Sequence, residues 1–290
     1  MGKLEMAFLE PLIKLDGVKS YLSRIEEALE KELARYKNSF FYEPLLYAVK
    51  GGKRIRPLIL VLSAECVGDG KKNPYPAAVA IELSHTESLI HDDIVDKETF
   101  RRGKLAFHAK YGQPAAILSA DFTLAMVLDI LIRYRKPSIL KEIVLSVLKM
   151  CEGEILDVKA QYNPQSLNWN TYINIVEKKT ASLFYAAARI GAIIGGGKKW
   201  EINSLSNYGL LFGVSYQIRD DLSDLKKEGE TSDALKTLLQ NFEVDEVTEH
   251  LTKMVKEYSM KAIGYLEPLK NTKAKEYLCE LAKLIAEQSL

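Results

Sequence analysis

Cysteine is scarce and scattered. Cys66, Cys151 and Cys279 are odd in number and far apart, which argues against a disulfide framework or a CxxC metal site and fits a reducing cytoplasm. A surplus of charge is also missing. Forty basic residues against thirty-nine acidic ones produce no global field to attract nucleic acid or an anionic membrane, so any anion binding has to be local. No apolar run reaches the roughly 18 residues of a membrane span. The beginning of the chain carries Glu5 and Glu10 early and lacks the basic start, apolar stretch and small-residue cleavage site of a secretory signal. These absences predict a cytoplasmic protein with no integral membrane segment and no nucleic-acid partner. With no fixed-period repeat, low-complexity tract or flexible linker, residues 1–290 are expected to form one domain, at the upper end of what a single core supports.

Strand-type alternation is absent as well, and helical periodicity fills the chain. In YLSRIEEALEKELARY, Leu22, Ile25, Leu29 and Leu33 recur at spacings of three and four. Gly51-Gly52, GDGKKNPYP, Gly112-Gln113-Pro114, YNPQSLNWN and IGGGKK interrupt such runs. They divide the chain into about ten helices. The expected fold is all-α, a large bundle of the kind that builds its sites from side chains projecting inward from facing helices.

One segment is chemically dense: HDDIVDKETFRRGK, from His91 to Lys104. Asp92 and Asp96 are four apart, so both carboxylates lie on one helical face about a turn apart. Like charges so placed cost an isolated helix roughly a few tenths of a kcal/mol, and more when buried, which calls for a compensating cation. A solvated acidic face is the ordinary alternative. Against it stands a second copy, QIRDDLSD, with Asp220, Asp221 and Asp224 following the apolar LLFGVSYQI. Two such helices facing each other across a cavity would offer only carboxylates, which select hard cations, Mg²⁺ foremost. Mg²⁺ leaves coordination positions to substrate phosphates, so a diphosphate is the expected third party. The basic residues then acquire a purpose: Lys53 and Arg56 in GGKRIRP, Arg101 and Arg102 after the first acidic motif, and Lys179 with Thr180 in EKKTASLF. Arginine forks match phosphate oxygens, and glycines let backbone approach an anion closely. Each signal is weak alone. GGKRIRP reads equally as a helix N-terminus with solvated charges, and a lone His85 is more often a hydrogen-bonded structural histidine.

The ordered set GGKRIRP, HTESLIHDDIVD, RRG, KKTASLF and YQIRDDLSD, running from about residue 51 to 224, resembles the trans-isoprenyl diphosphate synthase (polyprenyl synthetase) family. The likeness is to its archaeal type, in the geranylgeranyl/hexaprenyl diphosphate synthase branch. The resemblance implies the type I isoprenoid synthase fold, all-α around a deep central cavity and usually homodimeric. It implies head-to-tail condensation of isopentenyl diphosphate with an allylic diphosphate, assisted by about two or three Mg²⁺ ions. Carried over, the magnesium ligands are chiefly Asp92, Asp96 and Asp220, with Asp93, Asp221 and Asp224 completing the two motifs. Lys53, Arg56, His85 and Arg102 match the isopentenyl diphosphate site. Arg101, Lys179, Thr180 and Gln217 match positions serving the allylic diphosphate or the developing cation, and Asp92, Asp96, Asp220, Lys179 and Gln217 form the implied catalytic set. Ionisation of an allylic carbon–oxygen bond needs charge stabilisation on the departing diphosphate and no protein nucleophile. Water must be kept from the carbocation, which implies an apolar cavity beneath the aspartates.

Several positions depart from the family pattern. After the second acidic motif the usual Gly-Lys segment and Gly-x-Asp give way to the shorter DLKKEGETSDALKTLL, where Lys226 or Lys227 is the expected substitute. This shortening is similar to that of a crenarchaeal branch that includes hexaprenyl diphosphate synthases. The usual Gly-Gln of a middle helix is Gly153-Glu154, the usual Gly-Asp near AIL is Ala120-Asp121, and LIAEQSL lacks a basic tail. Three rival readings stay open: a noncatalytic or regulatory subunit of a heteromeric synthase, a class I terpene cyclase, and a divalent-ion-binding helical scaffold. Six clustered carboxylates argue against the first, paired basic sites against the second, and the order of the basic motifs against the third. Product length in the family is read from the helix entering the first motif. Glu87 and Ser88 supply no bulky aromatic there, and only two residues separate Asp93 from Asp96, so a product of at least geranylgeranyl length is expected. A carboxylate facing an apolar tunnel is costly, so Glu87 is expected to turn toward a polar neighbour or a dimer interface.

Overall fold

The computed structural model describes residues 17–68, 72–225 and 232–287. Thirteen α-helices occur among the described residues, more than the sequence periodicity resolves, because pieces of five to eight residues complete too few turns to show a period. These residues form two compact units, 17–61 with 72–141 and 62–68 with 142–287.

The first unit contains α1 (Val18–Ala34), α2 (Tyr42–Val49), the start of α3 (Ile55–Val67), α4 (Tyr75–Val95), α5 (Phe107–Tyr111) and α6 (Gln113–Ile132). α1 buries Ile25, Leu29 and Leu33, the stripe its spacing predicts. It packs on α4, which also runs against α6. α4 is buried along most of its length, with Ala77, Ala78 and Ala80 keeping its first turns slim. One correction to the sequence reading belongs to this unit. A small antiparallel hairpin, β1 (Phe100–Arg101) and β2 (Lys104–Leu105), pairs Arg101 with Lys104. Strands of two residues are too short to alternate, so the sequence shows none. Its two-residue loop has positive φ at both Arg102 (53°) and Gly103 (71°), the primed-turn geometry that matches strand twist. α6 is long and apolar enough, by length and composition alone, to cross a membrane, although no uninterrupted apolar run in it reaches 18 residues. Asp121 and Asp129 interrupt its apolar run, which hides this from a count of consecutive residues. Ala116, Ala120, Val127, Ile130 and Leu131 are buried within the unit, whereas Ile117, Leu118, Leu128 and Ile132 are exposed.

The second unit holds the end of α3 and all but the first residues of α7 (Pro137–Tyr162), then a 3₁₀ turn (Pro164–Ser166) and α8 (Trp169–Val176). A π-helical turn (Glu177–Ala181) leads into α9 (Ser182–Gly195), followed by α10 (Lys199–Leu225), α11 (Asp233–Leu238), α12 (Val244–Leu266) and α13 (Lys273–Glu287). Asn168 caps α8 by accepting a hydrogen bond from the Thr171 backbone N–H at 3.0 Å. α10 packs on both α9 and α12. Phe184 lies between Phe212 and Tyr216, with ring centroids 5.4 and 5.3 Å away. A side chain at Gly213 would overlap Ala181 and the Phe184 ring, so this glycine lets α10 lie directly against the π turn. That contact brings the second aspartate motif beside Thr180.

Candidate active site

In the first unit, the end of α4 sorts its aspartates by exposure. Asp92 and Asp96 remain partly exposed, while Asp93 is only 2% exposed. The Arg101 guanidinium closes on Asp93 Oδ1, with Nε at 2.6 Å and Nη2 at 2.5 Å. Burial raises the Asp93 pKa against the pull of that arginine. Asp93 therefore holds the hairpin arginine in this structure. Arg102 occupies the hairpin tip in left-handed backbone, a conformation that costs a non-glycine residue about 1–2 kcal/mol. Strain of this kind persists where surrounding structure holds it in place.

The same unit gathers a basic cluster around His85. Burial first, then the charges of Arg56, Arg102, Arg101 and Arg54, push the His85 pKa well below 6.5, leaving a neutral imidazole among cations. Such a cluster attracts anions. Arg56 sits in the first turn of α3, and Lys53 precedes it in the loop after α2. Between them Arg54, also left-handed at φ 57°, is buried and structural. It reaches Glu26 (2.7 Å), Glu82 (2.5 Å) and the Val49 carbonyl (2.8 Å). One turn before the aspartates, Glu87 is 7% exposed and meets His91 Nδ1 at 3.0 Å on its own helix. This contact raises the His91 pKa. The Ser88 hydroxyl donates back to the His85 carbonyl at 3.0 Å.

The second unit repeats the sorting. Asp220 and Asp224 are partly exposed, whereas Asp221 is 1% exposed. Asp221 accepts from the Tyr172 hydroxyl at 2.5 Å and from Gln217 Nε2 at 3.0 Å. Burial raises its pKa to about 7. Gln217, its amide nitrogen thus committed, turns Oε1 to the Thr180 hydroxyl at 3.0 Å. Thr180 and Lys179 both lie in the π turn, a distortion that re-aims side chains from the regular helical face. Lys179 Nζ stands 2.7 Å from Asp157 Oδ2 and 2.8 Å from Glu154 Oε2. Gly153 allows that approach, since a Cβ there would overlap the Lys179 backbone nitrogen.

Among the described residues no three His, Cys, Asp or Glu side chains converge as a ready-made metal site. Mg²⁺ rarely has an all-protein cage and commonly takes one or two carboxylates plus phosphates and water. In each unit taken by itself, the partly exposed carboxylates, Asp92 and Asp96 in the first and Asp220 and Asp224 in the second, suit such a hard cation.

The polyprenyl synthetase family model matches residues 38–275. The chain belongs to the polyprenyl synthetase family. A geranylgeranyl diphosphate synthase of Methanosarcina mazei is 37% identical over 217 residues, 73% of this chain and 67% of the relative. One from Sulfolobus acidocaldarius is 33% identical over 83% of this chain and 74% of its own length. Among solved structures, the geranylgeranyl pyrophosphate synthetase of Geoglobus acetivorans superposes with a TM-score of 0.82 at 28% identity, covering 93% of this chain and 99% of that one. The all-α isoprenoid synthase fold and a prenyltransferase activity that elongates prenyl chains follow from this membership.

For a polyprenyl synthetase, the residues absent from the sequence reading are those that hold the others: Asp157, Tyr172, Arg54 and Glu82. Arg54 stands inside GGKRIRP without a role of its own in that reading and the other three belong to no motif; each meets its partner across at least 22 residues of chain, so no local signal marks the pairing. Glu154 had a signal, as a departure from Gly-Gln, and the structure shows it carrying a second negative charge to Lys179. Lys226 and Lys227 lie outside the described residues.

Proposed function

We propose that the protein condenses isopentenyl diphosphate head-to-tail with an allylic diphosphate, giving a trans-polyprenyl diphosphate of geranylgeranyl length or longer. The observation that carries this is the matched sorting of the two motifs. Each buries its central aspartate, Asp93 or Asp221, against a protein partner and keeps the outer ones partly exposed, Asp220 with Arg219 at 3.0 Å. A merely solvated acidic face would have no reason to bury its middle carboxylate twice. Asp92, Asp96, Asp220 and Asp224 are the residues that would hold magnesium, whose Lewis acidity stabilises charge on a departing diphosphate. Lys53, Arg56 and Arg102 bind the isopentenyl diphosphate, with His85 neutral among them. Lys179 and Arg101 balance the charge of the allylic diphosphate. Thr180 and the Gln217 carbonyl face the developing carbocation with dipoles too weakly nucleophilic to trap it. The released diphosphate takes the proton that completes the step.

The reading includes a single catalytic domain, a cytoplasmic location and a homodimer whose second copy covers the exposed apolar face of α6. Asp92→Ala and Asp220→Ala should each lower turnover by about 10² or more while the far-ultraviolet circular dichroism stays unchanged. Near-normal turnover of Asp220→Ala at saturating magnesium would sink the metal assignment. Arg56→Ala should raise KM for isopentenyl diphosphate more than for the allylic substrate, and Lys179→Ala should do the reverse. Equal effects on both constants in both variants would overturn the division of the two sites.

A further inference from the structure

The hairpin that carries Arg101 and Arg102 is anchored by something other than its own two-residue strands. Lys104 Nζ donates to the carbonyl of Tyr47, in the last turn of α2, and to that of Lys50 at 3.3 Å, just past the helix end. Those are carbonyls that a helix leaves without intrahelical partners, and a cation there is also favoured by the helix dipole. The connection runs both ways, because the Tyr47 hydroxyl donates to the Leu105 carbonyl at 2.7 Å. The Tyr47 ring then lies under two ammonium groups, Lys104 at 4.1 Å and Lys110 at 3.6 Å from its centroid, and against Tyr111 edge-on. α2 ends immediately before Gly51-Gly52-Lys53, and Lys104 follows Arg102-Gly103.

We infer that Tyr47 and Lys104 form a clasp that sets the distance between the GGKR loop and the RRG hairpin, and so positions the two halves of the isopentenyl diphosphate site. Both are positioning residues, since neither is required to touch the substrate. The inference rests on the assignment of Lys53, Arg56 and Arg102 to that diphosphate. Geometry favours a task beyond local stability. The lysine makes its bonds amid a surplus of like charge, with Arg102 on the hairpin, Lys110 on α5 and Lys50 after α2 all lowering its pKa, after burial, to about 8. Asp93, from α4, lines the same cleft but is engaged by Arg101. A cation held against such repulsion is worth keeping where an anionic diphosphate completes the balance.

The clasp makes four measurable differences. Lys104→Met should raise KM for isopentenyl diphosphate about tenfold, with kcat and the allylic KM changing less than about twofold. Tyr47→Phe keeps the ring but loses the bond to Leu105, and should shift the same constant in the same direction by a smaller factor. In the wild type that KM should climb as pH rises through about 8, where Lys104 loses its proton. Lys104→Arg, which stays charged, should flatten the climb and restore most of the affinity. Arg56→Ala serves as the reference. If it raises the constant while Lys104→Met and Tyr47→Phe do not, the clasp is wrong and the site assignment stands. Should Arg56→Ala also leave it unchanged, both fail. A loss in Lys104→Met that falls equally on kcat and both KM values would mean a purely structural lysine and overturn the inference.

Discussion

Neighbouring aspartates of one motif differ by a single position and by their whole physical setting. On a helix, a residue one step along points about 100° away, so the outer aspartates of DDxxD share a face and the central one cannot. In α4 and α10 that other direction is inward, where a carboxylate needs partners. Arg101 meets Asp93, and Tyr172 with Gln217 meets Asp221. The raised Asp221 pKa has a consequence for stability. Between its ordinary value of 3.8 and about 7 the folded protein holds a proton that the unfolded chain has released. Stability contributed by that proton is therefore complete below the unfolded value and is lost as pH rises toward 7. Metal-chelated protein should show a falling denaturation midpoint over this window, and Asp221→Asn, which mimics the protonated side chain, should remove the fall. An identical slope in the variant would place the titration elsewhere. Asp93 and Asp221 were legible in the sequence as members of acidic clusters. Arg101 and Gln217 were legible too, as positions serving the allylic diphosphate and not as partners of these aspartates, whereas Tyr172, 49 residues from Asp221, leaves no trace in spacing.

At the scale of elements, the periodicity of α1 and the breakers at Gly51-Gly52, Gly112 and IGGGKK mark real helices and their ends. The short hairpin and the π turn are invisible to such a reading, the first for want of length and the second because one extra residue in a turn barely disturbs a periodic pattern. Yet these two irregular pieces carry Arg101, Arg102, Lys179 and Thr180. Regular helices supply the frame, and departures from regularity aim the cations. Gly153 tests this view of the π turn. Gly153→Ala forces a methyl against the Lys179 backbone, so it should destabilise the fold by about 1–3 kcal/mol in denaturant unfolding. It should also raise the allylic KM, because Lys179 is displaced with the turn. A variant of wild-type stability and affinity would show that the turn yields freely and does not fix the lysine.

For the whole molecule, family membership and the all-α fold were readable from five ordered motifs, whereas the proposed homodimer rested on the family resemblance alone. The structure adds an observation that fits it: Ile117, Leu118, Leu128 and Ile132 are exposed on α6, with Asp121 and Asp129 on the same helix. A second copy of the chain would remove such apolar surface from water. Sedimentation should find a dimer, and Leu118→Glu should shift it to monomer, whereas an unchanged sedimentation coefficient would remove α6 from the interface. Product length is a property of the molecule too. Glu87 is answered by His91, so Glu87→Ala should leave chain length nearly unaltered in chromatography, and marked lengthening would show the carboxylate limiting the tunnel. The most direct test of the central claim is incubation of the purified protein with radiolabelled isopentenyl diphosphate, magnesium and allylic primers of several lengths, followed by chromatography of the dephosphorylated products. The account predicts labelled trans-prenols of at least geranylgeranyl length that vanish with chelator and in Asp92→Ala. Absence of label in any product with every primer would contradict the assigned condensation, and products ending at fifteen carbons throughout would contradict the assigned length.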